Sequence, residues 1–277
     1  MKLDKFSLIG KKAVITGAAG LLGLEHSRAL LEVGCGVVLT DLNINELNKK
    51  KEILLNEFPN SYIVTKVMDV TNSESIVKIH KELTTENIHI EILINNAAID
   101  PKITNDSFQF SSSRIEWFEL KRWEDEIAVG LTGAFLCCKV FGAGMAKRGK
   151  GGVILNISSD LSVISPDNRL YRKEGLNEED QEVKPVTYSV IKTGLIGLTK
   201  YIATYWADMG VRCNALSPGG IEANQGDDFK KRIEVLIPMK RMAKSYEYRS
   251  AVQFLCSDAS SYMTGQNIVI DGGRSTW

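Results

Sequence analysis

Seven short runs rich in valine, isoleucine and leucine alternate with longer stretches of helical periodicity, and this alternation constrains the fold more than any other feature. The apolar runs cover residues 13–16, 37–41, 62–69, 90–95, 153–158, 212–216 and 267–271. Helical patterns fill 21–33, 45–58, 73–85, 122–147 and 188–209. A nearly continuous apolar strand must be buried on both faces, and a helix between strands supplies the crossover that parallel pairing needs. The expected architecture is α/β: one Rossmann-like, doubly wound parallel sheet of about seven strands with helices on both faces, a single domain over residues 1–277. Long connections at about 100–120, 161–187 and 221–240 follow strand carboxyl ends, where ligands of such sheets bind, and read as substrate loops.

Charge narrows the partners. Lys and Arg number 34, Asp and Glu also 34, so the chain lacks the basic excess of a nucleic-acid binder. The five cysteines, Cys35, Cys137, Cys138, Cys213 and Cys256, are odd in number and form no C-x-x-C pair, which points to reduced thiols in the cytoplasm. His26, His80 and His89 are scattered and read as packing or surface residues, with no metal site. Residues 1–10 carry no apolar signal region, and no apolar run approaches membrane length, so no membrane partner is expected. Helices 122–147 and 188–209 are apolar on more than one face. The second carries Leu195, Ile196, Leu198, Tyr201, Ile202, Tyr205 and Trp206. One face can lie on the sheet and the other needs a cover, so a homodimer or homotetramer through these helices is expected.

Residues 13–23 read as a strand, a turn with Gly17, Gly20 and Gly23, and the start of a helix. Glycines let the backbone approach closely, and a helix start offers free N–H groups to a pyrophosphate. Asp41 ends the next strand, where a carboxylate takes ribose hydroxyls and repels a 2′-phosphate, favouring NAD over NADP. Asp69, at the end of the third strand, reads either as an adenine contact or as a cap for the helix that follows. Tyr188 and Lys192, four apart, share one helix face. A free phenol titrates near ~10, and bringing it towards neutrality takes about 4 kcal/mol, within reach of two cations in a dry cleft. Ser159, just past the fifth strand, is placed to hold a substrate oxygen.

Thr16–Gly23, Asp41, Asp69-Val70, Asn95-Asn96-Ala97-Ala98, Asn156-Ile157-Ser158-Ser159, Tyr188–Lys192, Ser217-Pro218-Gly219-Gly220 and Thr264-Gly265-Gln266 through Asp271-Gly272-Gly273 occur in one order. In that order the chain resembles the short-chain dehydrogenase/reductase family over nearly its whole length. The resemblance implies NAD(P)-linked interconversion of an alcohol and a carbonyl. It implies that Ser159 orients the substrate, Tyr188 is the general acid/base, and Lys192 binds the nicotinamide ribose and lowers the Tyr188 pKa. It implies cofactor contacts from Gly17, Gly20, Leu22, Gly23, Asp41, Leu42, Asp69, Val70, Asn95, Ala97, Tyr188, Lys192, Pro218, Gly219 and Ile221.

Four departures stand out. The family's usual middle glycine is Leu21 here, and its usual helix Asn, part of a water-linked proton path, is Gly130. Ala223 replaces a frequent Thr. Ser159 and Tyr188 lie 29 positions apart, which makes room for an insertion. Arg169, Arg172 and Lys173 in that insertion read either as a clamp for an anionic substrate group or as a solvated basic turn. The insertion resembles the flagellin-modification and surface-glycan branch, implying a sugar phosphate or nucleotide sugar as substrate. Two other readings stay open: an NAD-binding protein without turnover, motivated by Gly130, and a sugar-nucleotide epimerase or dehydratase with bound NAD, motivated by the glycine spacing.

Overall fold

In the computed structural model, which describes residues 4–99 and 113–277, every apolar run becomes a strand. These are β1 (Lys12–Thr16), β2 (Gly36–Asp41), β3 (Ile63–Val67), β4 (Ile92–Asn95), β5 (Gly152–Ile157), β6 (Val211–Pro218) and β7 (Asn267–Ile270). They form one parallel sheet in the order β3-β2-β1-β4-β5-β6-β7. Strand alternation feeds two cores. Ala13, Ile15, Val37 and Leu39 point to one face, and Val14 and Val38 to the other.

On the first face lie α1 (Leu21–Glu32), α2 (Ile44–Glu57) and α9 (Arg249–Cys256), which contribute Leu30, Leu31, Leu47, Leu54, Val252 and Leu255. Asn43 caps α2, accepting from Asn45 and Glu46 N–H. The second face carries α3 (Ser73–Thr85), capped by Asn72, and a long helical rod, Leu120–Arg148. The rod is α4 (Leu120–Ile127), α5 (Gly133–Cys137) and α6 (Ala143–Arg148), joined by π-helical turns at Ala128–Thr132 and Cys138–Gly142. Beside it runs α7 (Val186–Tyr205), and α8 (Asp227–Val235) lies within the expected 221–240 loop. That loop is therefore partly helical, and α9 is a second helix the sequence pattern did not give. The 100–112 part of the first expected loop falls outside the described residues.

The rod corrects one expectation. Its length, and a mean hydropathy of 1.7 over an 18-residue stretch within it, are those of a membrane-crossing helix. Here it lies on the sheet, with Cys137, Cys138, Phe141 and Met145 in the second core. All five cysteines are free and buried, and burial pushes the Cys35 and Cys138 thiols up to about 12.

His26 on α1 is buried, and its desolvation pulls the imidazole down to about 4 against a partly opposing hydrogen bond with Asn96. A folded-state value below the unfolded one means the unfolded chain binds the extra proton as pH falls. The stability from keeping His26 neutral is therefore complete above about 6.5 and lost as pH drops through about 4. Between pH 7 and pH 5 the expected loss is about 2 kcal/mol. Urea unfolding at the two pH values should show that loss in the wild type and a smaller one in His26→Gln. Equal losses would show that other groups carry the acid sensitivity.

Candidate active site

The carboxyl ends of β1, β4, β5 and β6 bring the motif residues together. Gly17 has φ of 63°, and a side chain there would meet Ala97 Cα at 2.8 Å. A side chain on Gly23 would meet the Gly17 carbonyl at 2.4 Å, so α1 packs directly on the turn. Around Gly20, by contrast, only the Gly17 carbonyl lies within 4 Å of an added Cβ, at 3.3 Å. Gly20 caps α1 with no side-chain hydrogen bond, so the first N–H groups of the helix keep the unsatisfied character that suits a pyrophosphate. Leu21, in the family's glycine position, opens the helix half exposed.

Asp41 is held at the turn. One carboxylate oxygen accepts from Ala19 N–H at 3.2 Å and the other from Leu42 N–H at 2.8 Å. The second oxygen also accepts from Asn43 N–H at 3.4 Å, so the lone pair left for a hydroxyl is on the oxygen facing Ala19. Leu42 is exposed beside it. Asp69 folds onto its own turn, accepting from the Thr71 N–H and hydroxyl, while Asn72 is the residue that caps α3. Asn96, to which the sequence reading gave no role of its own, ties β4 to the glycine turn: its Nδ2 donates to the Thr16 and Gly17 carbonyls. These residues fit a dinucleotide: an open helix start, a glycine backbone free on its outer side, and an oriented carboxylate one strand away.

A buried polar ladder underlies the other half of the site. Asn95 Nδ2 donates to Asn156 Oδ1 at 2.8 Å, and Asn156 Nδ2 donates to Thr199 on α7 at 2.8 Å. The ladder locks β4 and β5 to α7, the helix that carries Tyr188 and Lys192. Lys192 is 8% exposed; its Nζ donates to the Ile157 carbonyl at 2.9 Å, and its own carbonyl accepts from Ser158 Oγ at 2.7 Å. The ammonium lies 5.6 Å from the Tyr188 ring centroid. A second ammonium, Lys184, lies 3.7 Å from the same centroid, and the sequence reading missed it. A Lys one turn before a Tyr-x-x-x-Lys motif was the available signal. Glu126 of α4 accepts from the Thr187 hydroxyl and pairs with Arg122, fixing the start of α7. Ser159 caps the turn after β5, its Oγ accepting from Leu161 N–H at 3.2 Å. At the β6 end, Gly219 N–H binds the Ile270 carbonyl, and a side chain at Gly219 would meet Asp271 Cα at 2.6 Å. The Ile221 carbonyl accepts from Gln225 Nε2, and Ala223 N–H donates to Gln225 Oε1.

Gly130 sits buried in the first π-helical turn, an irregularity often found at functional sites. A Cβ there would meet Ile191 Cγ2 at 2.8 Å, so Ile191 fills the space a side chain at 130 would enter. Next to it, Thr16, Asn95, Ala97, Gly130, Ile157 and Leu195 line a cavity of about 10 Å³. Asn95 Oδ1 is buried without a partner among the described residues, and a space of this size holds about one water. Gly130→Asn alone should lower stability by about 1–3 kcal/mol through overpacking. In Gly130→Asn/Ile191→Ser the two costs should fall short of adding, because the vacated volume takes the amide. Thermal melts decide this, and strict additivity would show that the two positions do not share one space.

The basic side chains of the insertion pair within their own loop. Arg169 pairs with Asp167 two positions earlier, and Arg172 pairs with Glu178 at 2.6 Å. Lys173 pairs with Glu182. The insertion is instead docked: Leu170 and Tyr171 pack with Phe229, Ile233, Ile237 and Met242 around α8. Arg232 donates to the Arg172 carbonyl, and Arg114 to the Glu178 carbonyl.

Comparison with known proteins agrees with this geometry. The short chain dehydrogenase family profile matches residues 11–171, and the enoyl-(acyl carrier protein) reductase profile matches 176–275. An NADP-dependent mannitol dehydrogenase of Hypocrea jecorina is 31% identical over 99% of this chain and 96% of that protein. An NAD-dependent glycerol dehydrogenase of Listeria innocua is 30% identical over 97% of this chain and 95% of that protein. A crystal structure of gluconate 5-dehydrogenase from Burkholderia cenocepacia, in complex with NADP and tartrate, superposes with TM-score 0.82 at 27% identity, covering 99% of both chains. With a glycine turn, a buried lysine against a helical tyrosine and these relatives in hand, the chain belongs to the short-chain dehydrogenase/reductase family.

Proposed function

We propose that this protein reversibly oxidises a secondary alcohol of a polyol or other sugar-derived substrate with NAD. The observation that carries the reading is the setting of Tyr188, whose ring centroid has two lysine ammoniums at 3.7 and 5.6 Å, the farther of them tied to the last carbonyl of β5. Both positive charges favour the phenolate, the form that takes a hydroxyl proton. In this reading Tyr188 takes or returns that proton, Lys192 holds the ribose and sustains the charge, and Ser159 orients the reacting oxygen. The nicotinamide ring, when bound, exchanges the hydride.

Asp41 supports NAD, since both its oxygens are fixed by backbone N–H groups at the place where a 2′-phosphate would have to sit. The relatives named above divide between NAD and NADP, so the preference rests on Asp41. Pairing of Arg169 and Arg172 within their own loop favours an uncharged polyol over a sugar phosphate or nucleotide sugar. The likeness to the flagellin-modification and surface-glycan branch gains no support from these relatives. Phe135, Val190, Tyr201 and Tyr205 stay exposed on α5 and α7, with Tyr201 and Tyr205 stacked, and this apolar face supports a homo-oligomer built through it. Five buried free thiols suit a reducing cytoplasm.

The test is a panel of polyols, aldonates, phosphorylated sugars, nucleotide sugars and simple secondary alcohols with NAD, read as appearance of reduced cofactor. Turnover on neutral polyols is the expected result. If no alcohol reacts while NAD still raises the melting temperature, the protein binds cofactor without turnover. Cofactor that co-purifies and cycles without net reduction would instead point to an epimerase or dehydratase.

A further inference from the structure

We infer that Asp160, braced by Arg274 from the far end of the chain, is a positioning residue that sets the Ser159 hydroxyl. The inference rests on the reading of Ser159 given above. Asp160 is 3% exposed and Arg274 is 8% exposed, and their ion pair spans 2.8 Å. Taking two charges out of water is costly and adds little net stability against an apolar pair of the same size. A pair kept there beside a reacting hydroxyl therefore points to a role other than stability.

The hydrogen bonds define that role. Ser159 Oγ donates its single proton to Asp160 Oδ1 at 2.9 Å and accepts from Leu161 N–H at 3.2 Å. A hydroxyl has one proton and two lone pairs, so a single acceptor position remains. The oxygen is fixed between two partners before any substrate arrives. The other carboxylate oxygen, Oδ2, takes Arg274 Nη1. Arg274 itself is delivered by a tight turn. Asp271 accepts from Gly273 N–H at 2.9 Å and from Ser275 N–H at 2.7 Å, with Gly272 and Gly273 at positive φ. The buried phenol of Tyr248 also feels Asp160; burial first, and Asp160 second, push it upward, so it stays neutral and leaves the carboxylate to Ser159 and Arg274. A substrate oxygen that shares this proton with Asp160 meets a hydroxyl already turned by the Asp160 bond. No proton changes owner, so Asp160 acts only through Ser159.

A double-mutant cycle in steady-state kinetics tests this. Asp160→Asn/Arg274→Met removes both charges at once, so no buried charge is left unpaired. It should lower kcat about tenfold, in the range of couplings between contacting residues, with the NAD-induced rise in melting temperature unchanged. In a Ser159→Ala background the same pair of changes should have almost no further effect. The conservative Arg274→Lys should recover most of the rate. Equal losses in both backgrounds, or a loss confined to NAD binding, would overturn the inference while leaving the dehydrogenase reading intact. A wild type that oxidises no alcohol would overturn both.

Discussion

Tyr188→Phe should cut turnover by about 10²- to 10⁴-fold, the usual worth of a positioned general acid or base. The substitution removes one oxygen and leaves the ring, which matters here because the ring is what Lys184 and Lys192 face. The ammonium of Lys192 keeps its bond to the Ile157 carbonyl, and the Asn95–Asn156–Thr199 ladder lies below the change. Binding of NAD should therefore survive, seen as an unchanged cofactor-induced melting shift, while kcat collapses. A residual rate within tenfold of the wild type would mean that another group handles the proton, and the assignment of Tyr188 would fail.

Asp41→Ser should shift the preference from NAD towards NADP by about 10²-fold in the ratio of kcat/KM values. A carboxylate and a 2′-phosphate about 5 Å apart at a half-exposed site repel by about 2–4 kcal/mol at intermediate dielectric, which converts to roughly that factor. Part of the change comes from NAD itself, because a charge-assisted hydrogen bond to the ribose is lost, worth about 1.5–3 kcal/mol. Serine keeps an acceptor near the Ala19 and Leu42 N–H groups, so the turn should stay folded. Parallel kinetics with the two cofactors measure the ratio. An unchanged ratio would place the discrimination elsewhere, with exposed Leu42 as the next residue to vary.

The sheet was legible because its central strands β1, β2, β4, β5 and β6 are buried on both faces and so are apolar almost throughout, while the edge strands β3 and β7 keep enough Val and Ile to be read with them. The glycine turn, Asp41, Asn95, Tyr188 and Lys192 were legible because each belongs to a short local pattern at a strand end or on one helix turn, and the parallel sheet then gathers those strand ends. What escaped was set by partners distant in sequence or close enough to be overlooked. Asp160 and Arg274 are 114 positions apart, and nothing local marks either of them. Arg169 and Arg172 looked available, yet carboxylates two and six positions away take their guanidiniums. Gly130 read as a loss, while the structure fills its space with Ile191, a packing event no single position announces. The α8 helix was hidden because its sequence, DDFKKRIEV, is mostly charged, and only Ile233 is buried within it.

The small core shared by Leu170 of the insertion with Ile233, Ile237 and Met242 has an evolutionary corollary. Because the insertion and α8 bury each other's apolar side chains, they must diverge as one cassette. Exchanging either alone with a relative of different substrate taste would strand hydrocarbon in water, whereas moving both together carries a new rim onto an unchanged cofactor platform.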